Sequence, residues 1–379
     1  MAEVVIVGGG VVGVSIAYHL ASLGARDVVL LEREPVLGSG STSRSAGGIR
    51  LQFGTAANVR LSQWSLDFFK RMREDLGADP GLRQVGYLML VADARHWSDL
   101  LANVRMQRDL GVPVQALTPG EVAARFPYVD AADLAGATFC PEDGYADPHA
   151  VVQGMARQAR RLGVVIRTGA EVTGLRVAGG RIAGVDTADG QLPARVVVNC
   201  AGPSAGTVGR MAGVDVPVLP YRRQVYVTAP YPGLPGDMPM VIDYDTASYV
   251  RGDGGGLLMG ASDPAEPSSF RMDPDDAGVL LLGRTIMRRV PLLAEVQIVR
   301  SWAGLYEVSP DENPVLGPVP QLPGFFVANG FSGHGFQHAP AVGRVLAEMI
   351  LGLPPSIDVG TLDLARFRDG RPIRENAAI

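Results

Sequence analysis

The pattern of apolar positions at the start of the chain predicts a strand, a helix and a second strand. A β-branched run ends at Val7, glycines occupy positions 8–10, and a helical pattern extends over residues 11–23. A second apolar run over residues 28–31 is closed by Glu32. Parallel strands are buried on both faces and therefore consist of continuous apolar runs, as both of these do. The pattern predicts a βαβ unit.

Helical periodicity continues over residues 56–76 and near 96–110, with a strand pattern over 85–91 between these two helices. Asp147 precedes Pro148, a pair typical of a helix start, because the carboxylate caps free N–H groups and proline fits the first turn. We predict that this fourth helix runs to about residue 162.

The remaining pattern is mostly strand. Residues 164–199 predict a strand, a meander over 172–187 and a buried strand, whereas residues 216–303 are strand-rich, interrupted by prolines and without a further βαβ pattern. A strand over 325–328 then leads through a glycine-rich loop, 329–338, into a helix over 340–351. Signals of a dinucleotide-binding fold therefore occur at the beginning, middle and end of the chain.

We accordingly predict a mixed α/β protein with two domains, which suits a length of 379 residues. A Rossmann-like cofactor domain is assembled from residues 1–82, 146–217 and 309–379. An antiparallel-sheet substrate domain is formed by residues 83–145 and 218–308.

Composition narrows the class of protein. The net charge is −5 and no basic block occurs, which argues against a nucleic-acid or anionic-membrane partner and favours an enzyme acting on a small molecule. The apolar stretch 4–24 contains several glycines and follows no basic segment, so we expect no membrane span. Cys140 and Cys200 form no CxxC pair, so we expect no disulfide, no metal site and a cytoplasmic location.

Three glycines form a nucleotide-binding motif. Gly8, Gly10 and Gly13 make GxGxxG directly after a strand and at a helix start, where the first permits a tight turn, the second a close approach of pyrophosphate, and the third close packing. Glu32 closes the second strand at the distance suited to binding ribose hydroxyls. The alternatives are a purely structural glycine turn, or NAD in place of FAD.

Two further loops favour FAD over NAD. Residues 38–48 are rich in hydroxyl and small side chains, which suits a loop under a pyrophosphate and an isoalloxazine edge, although such a composition also fits a flexible linker. The loop 329–338 precedes a helix, whose free N–H groups and dipole would stabilise the negative charge of reduced flavin.

These motifs, together with residues 198–202, 220–224, 302–306 and 330–337, resemble the FAD-dependent amine and amino-acid oxidoreductases of the glycine oxidase, sarcosine oxidase and D-amino-acid oxidase superfamily. The likeness extends over nearly the whole chain and is strongest to monomeric sarcosine oxidase and to the β subunits of sarcosine oxidases and proline dehydrogenases. The motifs and this resemblance together imply contacts with FAD from Gly8, Gly10, Val11, Val12, Gly13, Glu32, Arg33, Ser41, Thr42, Ser43, Ala46, Gly47, Gly48, Val172, Ala201, Gly202, Gly304, Gly330, Gly333, His334, Gly335, Phe336 and Gln337.

The resemblance also implies how FAD is held and reoxidised. Some relatives bind FAD covalently through a cysteine where this chain has Gly304, so we expect non-covalent FAD. Oxidases of the family often use a lysine near the flavin to activate oxygen. The only lysine here, Lys70, lies in the predicted helix 56–76, so we expect slow reaction with oxygen.

The reaction implied by the resemblance is hydride transfer from the α-carbon of a small amino acid or N-substituted amino acid, such as a sarcosine-like or proline-like compound, to flavin N5. The resulting imine is hydrolysed by water. Arg50 matches the arginine that binds the substrate carboxylate, and the alternative for it is a surface position. Gln337 stands where relatives have a second carboxylate-binding lysine, so another arginine is a candidate for that role: Arg222, Arg223 or Arg251.

Three further residues are implied at the active site. Tyr249 and Tyr306 match substrate-contacting tyrosines, although either could be a core aromatic, and His334 would lie near the flavin edge or stabilise its loop. A different class of function also remains open, namely a flavin-containing subunit or assembly factor that acts through protein partners. Hetero-oligomer subunits are likewise open in this interpretation, and a third reading is an NAD-dependent dehydrogenase.

Overall fold

The computed structural model describes residues 2–233, 235–373 and 375. The strands in this part of the chain are β1 Ala2–Val7, β2 Val28–Glu32, β3 Gly48–Ile49, β4 Tyr87–Val91, β5 Gln115–Leu117, β6 Gly136–Cys140, β7 Gly144–Tyr145, β8 Val165–Thr168, β9 Val172–Ala178, β10 Arg181–Thr187, β11 Gly190–Asn199, β12 Leu219–Thr228, β13 Met240–Asp243, β14 Ser248–Asp253, β15 Gly256–Ala261, β16 Ile298–Val308, β17 Val315–Pro318 and β18 Phe325–Asn329. The helices are α1 Val11–Ser22, α2 Ala56–Leu76, α3 Ala94–Asp109, α4 Pro119–Arg125, α5 Pro148–Arg161, α6 Ala205–Met211, α7 Asp276–Arg284, α8 Ile286–Arg289, α9 Gly335–Ile350 and α10 Ala365–Arg368.

The first sheet has a parallel centre. Its strand order is β17-β18-β11-β1-β2-β8, and the pairs from β18 to β8 are all parallel. Strand β17 pairs antiparallel with β18, and the hairpin of β9 and β10 extends from β11. The apolar runs predicted as buried strands occupy the middle of this sheet, as double-sided burial requires.

Helices from distant parts of the sequence cover one face of this sheet. Helix α1 packs against both α5 and α9, and α2 packs against α9. The crossing of α1 and α9 is close, because a Cβ added at Gly343 would lie 2.1 Å from Ser15 Oγ. Helix α1 is therefore packed tightly against α9, although the two lie far apart in the sequence.

The second sheet has the order β16-β12-β15-β14-β13-β4-β6-β5. It is antiparallel, as predicted, except for one parallel pair between β13 and β4. Helices α7 and α8 lie in a stretch that the sequence pattern assigned to strands, and they cover the sheet through Leu282 and Ile286.

Several predicted elements coincide with the structure. Helix α2 has the predicted bounds, and α5 is capped as expected, since Asp147 Oδ1 accepts hydrogen bonds from the N–H groups of His149 (2.8 Å) and Ala150 (3.2 Å). Helix α9 begins at Gly335, five residues before the predicted start, and Pro340 lies inside it. The strands of each of the two large sheets fall within the segments proposed for one domain, whereas the small sheet of β3 and β7 takes one strand from each. The division into domains stays a prediction.

A buried histidine makes stability depend on pH. His19 of α1 is 4% exposed and packs against the rings of Trp64 and Phe68, and its Nε2 has no hydrogen-bond partner. Burial lowers the pKa of His19 to about 3. Folding therefore favours neutral His19, so its contribution to stability is present above the unfolded pKa of about 6.5 and is lost as the pH falls towards 3.

We expect His19→Leu to reduce the acid sensitivity of the apoprotein. Between pH 7 and pH 5 the loss in free energy of unfolding should be about 2 kcal/mol smaller in the variant than in the wild type. Chemical unfolding at the two pH values measures this difference. His149→Leu, which changes an exposed histidine, should behave as the wild type. An equal loss in His19→Leu and wild type would contradict this prediction.

Candidate active site

A cavity of about 730 Å³ is lined by residues of both sheets. One wall is the carboxyl edge of the parallel strands, including Gly8, Glu32 and Ala201, where ligands of open α/β sheets bind. The opposite wall includes Tyr87 and Met240 from the second sheet. The sequence segments that carried the motifs therefore meet around one space.

Most of the expected contact residues line this cavity. Those that do so are Gly8, Gly10, Val11, Val12, Glu32, Arg33, Ser41, Thr42, Ala46, Gly47, Gly48, Arg50, Val172, Ala201, Gly202, Tyr249, Gly304, Tyr306, Gly333, His334, Gly335, Phe336 and Gln337. Gly13, Ser43 and Gly330 lie outside its lining. Gly13 packs against Gly8, Gly330 packs against Ser309, and Ser43 is exposed.

Gly8, Gly10 and Gly13 of the first turn are glycines for different structural reasons. Gly8 has φ +111°, and a Cβ there would lie 2.3 Å from the carbonyl oxygen of Cys200. A Cβ at Gly13 would lie 2.0 Å from the Gly8 oxygen. A Cβ at Gly10 would come no closer than 3.5 Å to its nearest neighbour, Thr42 Oγ1. The protein itself tolerates a side chain at Gly10, so the open backbone there is suited to a ligand in close contact.

Glu32 is fixed at the end of β2. Its Oε2 accepts a hydrogen bond from the Gly9 N–H (2.6 Å), and its Oε1 accepts one from the Glu34 N–H (2.8 Å). The carboxylate thus bridges the glycine turn and the strand end while lining the cavity. This is the placement expected for a carboxylate that binds ribose hydroxyls.

The hydroxyl-rich loop is anchored rather than free. Ser41 Oγ donates to the Leu305 carbonyl oxygen (2.6 Å), and Arg44 Nη1 donates to that of Ala303 (2.8 Å). The indole of Trp302 donates back to the Arg44 carbonyl oxygen (3.0 Å). These bonds tie the loop to β16, which disfavours its interpretation as a flexible linker.

The third segment presents a helix N-terminus to the cavity. Gly335 and Phe336, in the first turn of α9, both line it. Gly333 has φ +96°, and a Cβ there would lie 2.4 Å from the ring of Tyr306. Free N–H groups and the helix dipole make this end of the cavity favourable for negative charge.

Arg50 is the buried cation of the site. It is 4% exposed, its guanidinium lies 4.0 Å from the Phe53 ring centroid, and Nη1 donates to the Gln52 carbonyl oxygen. Nη2 lies 2.9 Å from His334 Nε2, and the Arg50 N–H donates to Gln337 Oε1 (2.6 Å). Burial lowers the pKa of Arg50, but a guanidinium remains charged in proteins.

A buried carboxyl group holds the two residues that follow Arg50. Asp143 Oδ1 accepts from the Leu51 N–H (2.8 Å), and Oδ2 accepts from Gln52 Nε2 (2.9 Å). Burial raises the pKa of Asp143 to about 7. The position of Arg50 is thus set by groups that sequence reasoning did not identify.

His334 is a neutral acceptor. Since a guanidinium can only donate, the contact with Arg50 assigns the proton of His334 to Nδ1. Burial, and then the charge of Arg50, lower the pKa of His334 well below its usual value. The imidazole therefore orients Arg50 and carries no charge at neutral pH.

Tyrosines from the second sheet complete the wall around Arg50. Burial raises the pKa of both Tyr249 and Tyr306, so their hydroxyl groups stay protonated and can donate. The guanidinium of Arg223 lies 5.2 Å from the centroid of the Tyr306 ring. Arg223 also lines the cavity.

The other candidate arginines are already paired. Arg222 forms ion pairs with Glu266 and Asp275, both at 2.8 Å, and Arg251 pairs with Asp253 at 3.0 Å. Of the three alternatives named for a second carboxylate-binding residue, only Arg223 lines the cavity.

Some lining residues were missed by sequence reasoning. Tyr87, Met240 and Glu307 line the cavity, and burial raises the pKa of Glu307 to about 8. Glu307 directly follows Tyr306. Because side chains alternate between the two faces of a strand, the position of Tyr306 gave no reason to expect Glu307 in the same cavity. No sequence signal distinguished these residues from ordinary core positions.

Comparison with known proteins decides the identity of the cofactor. A profile of the DAO family, described as FAD dependent oxidoreductase, matches residues 3–349. The chain belongs to this family. The oxidoreductase is 32% identical over 430 residues to FAD-dependent oxidoreductase domain-containing protein 1 of Bos taurus, covering all of this chain and 87% of that protein.

Relatives with named substrates are also similar. Mitochondrial sarcosine dehydrogenase of Homo sapiens is 32% identical over 97% of the oxidoreductase, which spans only 41% of that longer protein. The crystal structure of L-proline dehydrogenase from P. horikoshii matches with a TM-score of 0.91 and 33% identity, covering 98% of this chain and 99% of that one. Glycine oxidase from Geobacillus kaustophilus matches with a TM-score of 0.85 and 28% identity, covering 96% and 98%.

The cavity of the oxidoreductase fits FAD, the cofactor of its family. The uncovered backbone at Gly10 and the N-terminus of α9 both line it. Among the described helices, none is long and apolar enough to cross a membrane.

Proposed function

We propose that the oxidoreductase oxidises a small amino acid or N-substituted amino acid at the bond between its α-carbon and its nitrogen. The observation that carries this proposal is the buried guanidinium of Arg50 in the same cavity as the nucleotide-binding turn. A planar guanidinium is suited to binding a carboxylate through two parallel hydrogen bonds. Arg50 would therefore fix the substrate by its carboxylate.

Bound FAD supplies the hydride acceptor, flavin N5. The chain's own task is then orientation, which converts a slow encounter into a reaction within one complex. Arg50 holds the carboxylate end, while Tyr249 and Tyr306 donate hydrogen bonds and limit the positions open to the substrate. Gln52 and His334 keep the guanidinium in place.

The site also favours a neutral substrate amine, which is the form that can release a hydride. Burial disfavours an ammonium group, and the positive charge of Arg50 disfavours it further. His334 is neutral and the tyrosine hydroxyls are protonated, so none of these groups offsets that effect.

Anaerobic bleaching of the flavin tests the proposal. Purified holoenzyme is mixed with a panel that includes sarcosine, proline and glycine, and loss of flavin absorbance is recorded. Each compound is paired with its analogue without the carboxylate, such as pyrrolidine for proline. We expect bleaching by at least one amino acid and by none of the analogues. A flavin that no amino acid bleaches would overturn the proposed function.

Non-covalent FAD is part of the proposal. Gly304 offers no side chain for attachment, and a Cβ at this position would lie 2.8 Å from Arg44 Cβ. The stem of Arg44 therefore occupies the space that an attachment residue would need.

We expect the reduced oxidoreductase to react slowly with oxygen. Its only lysine, Lys70, is in α2, outside the cavity lining, and pairs with Glu142 at 3.3 Å. Mixing the substrate-reduced enzyme with air-saturated buffer, and separately with a dye acceptor, measures both rates. Reoxidation should be much faster with the dye. Rapid reoxidation by air would contradict the inference that a lysine is needed.

Partner subunits and location stay predictions. A role as a flavin-containing subunit would require a partner for activity, whereas the proposed enzyme acts alone. Bleaching of a homogeneous preparation of this one chain would therefore support the enzyme.

A further inference from the structure

Arg223 lacks a carboxylate partner, unlike its neighbour Arg222 in β12 and Arg251 in β14. Among the described residues, no carboxylate lies within 4.0 Å of the Arg223 guanidinium. Arg223 Nε is buried without a hydrogen-bond partner, while Nη1 donates to the Arg222 carbonyl oxygen. A buried donor without a partner is costly, and an anion that accepts from Arg223 Nε would remove this cost.

Arg223 lies beside Tyr306, one of the residues proposed to contact the substrate. It lines the cavity and stacks over the Tyr306 ring at 5.2 Å, and it is paired with Gly304 across β12 and β16. The charges of Arg223 and Arg50 both act on the Tyr306 hydroxyl. Tyr306 and both arginines therefore line the same cavity, with the Arg223 guanidinium over the Tyr306 ring.

Four arginines line the cavity, namely Arg33, Arg44, Arg50 and Arg223. The charges of Arg50 and Arg223 both act on Tyr306, and two cations around one residue favour a ligand with two negative charges. Arg50 accounts for the α-carboxylate of the proposed substrate, and Arg223 is left for a second anion. The diphosphate of FAD is not this second anion, because its expected site is the turn at Gly8 and Gly10, which belongs to the other sheet.

We infer that Arg223 binds a second carboxylate of the substrate, so that the oxidoreductase prefers amino dicarboxylates to amino monocarboxylates. This inference rests on the proposed function, in which Arg50 binds the first carboxylate. Arg223 acts in it as a specificity-determining residue, and the hydride transfer itself is unchanged.

Binding of two unreactive sulfur analogues tests the inference without turnover. Thiodiacetate carries two carboxylates and (methylthio)acetate carries one, and neither has an amine to oxidise. Their dissociation constants are measured with the oxidised holoenzyme from the perturbation of the flavin spectrum. We expect thiodiacetate to bind about 10- to 100-fold more tightly, as a charge-assisted hydrogen bond allows.

Variants assign the effect to one side chain. Arg223→Gln should abolish the preference by weakening thiodiacetate alone, and Arg223→Lys should restore part of it. Arg300→Gln is a matched control, because Arg300 also stacks on an aromatic ring of β16, Trp302, at 5.0 Å but lies outside the cavity lining. It should retain the full preference.

Two outcomes would overturn the inference. Equal affinity of the wild type for both analogues would remove the second carboxylate site. If Arg223→Gln lost affinity for both analogues equally, Arg223 would not bind the second carboxylate of thiodiacetate. If neither analogue binds and no amino acid bleaches the flavin, the proposed function is overturned, and this inference with it.

Discussion

Replacing Arg50 by alanine is expected to lower kcat/KM for the amino acid substrate by about 30- to 4,000-fold, equivalent to ~2–5 kcal/mol. The reason is that Arg50 is buried and would face the carboxylate in a site from which water is largely excluded. The rate of flavin reduction under anaerobic conditions, measured against substrate concentration, gives this ratio directly.

The control for this change lies close by in the sequence. Arg60, in α2, is exposed, so Arg60→Ala should leave kcat/KM unchanged. Binding of FAD to Arg50→Ala should also be retained, which separates loss of substrate binding from loss of the cofactor. A variant with normal kcat/KM would remove Arg50 from the proposed site.

Replacing Gly10 by valine is expected to weaken FAD binding by about 100-fold or more, since forcing a side chain into closely packed space costs up to ~3 kcal/mol or more. The apoprotein of Gly10→Ala should keep its melting temperature, because a Cβ at Gly10 comes no closer than 3.5 Å to another atom of the protein, so this second variant separates weakened FAD binding from loss of stability. Titration of the apoprotein with FAD, with melting recorded in parallel, measures both quantities.

Gly13 provides the opposite case in the same turn. A Cβ there would lie 2.0 Å from the Gly8 oxygen, so Gly13→Ala should lower the melting temperature of the apoprotein itself. If Gly10→Val bound FAD as tightly as the wild type, the nucleotide would not pass over this turn.

Much of the fold followed from local patterns. The bounds of α2 were set by helical periodicity, and the start of α5 by the cap at Asp147. The start of α9 was misplaced because Pro340 was interpreted as a first-turn residue. In the structure it lies in the second turn, where its missing N–H removes one hydrogen bond without ending the helix.

Other features depended on contacts that the local pattern does not contain. The apolar run in α7 has no period that separates a helix from a buried strand. The parallel pairing of β13 with β4 joins distant segments, so no turn sequence specifies it. Likewise, the motifs identified the glycine turn and Arg50, whereas the role of Tyr87 and Glu307 in the cavity depends on how the sheets face each other.

The close crossing of α1 and α9 has a consequence during protein synthesis. The ribosome produces α1 and α5 long before α9, so α1 lacks its contact with α9 while the residues between α5 and α9 are translated. Its apolar surface stays open to chaperones for that period. The cavity is therefore complete only once α9 has been made, and a product terminated before α9 would lack both the support of α1 and the lining residues Gly335 and Phe336.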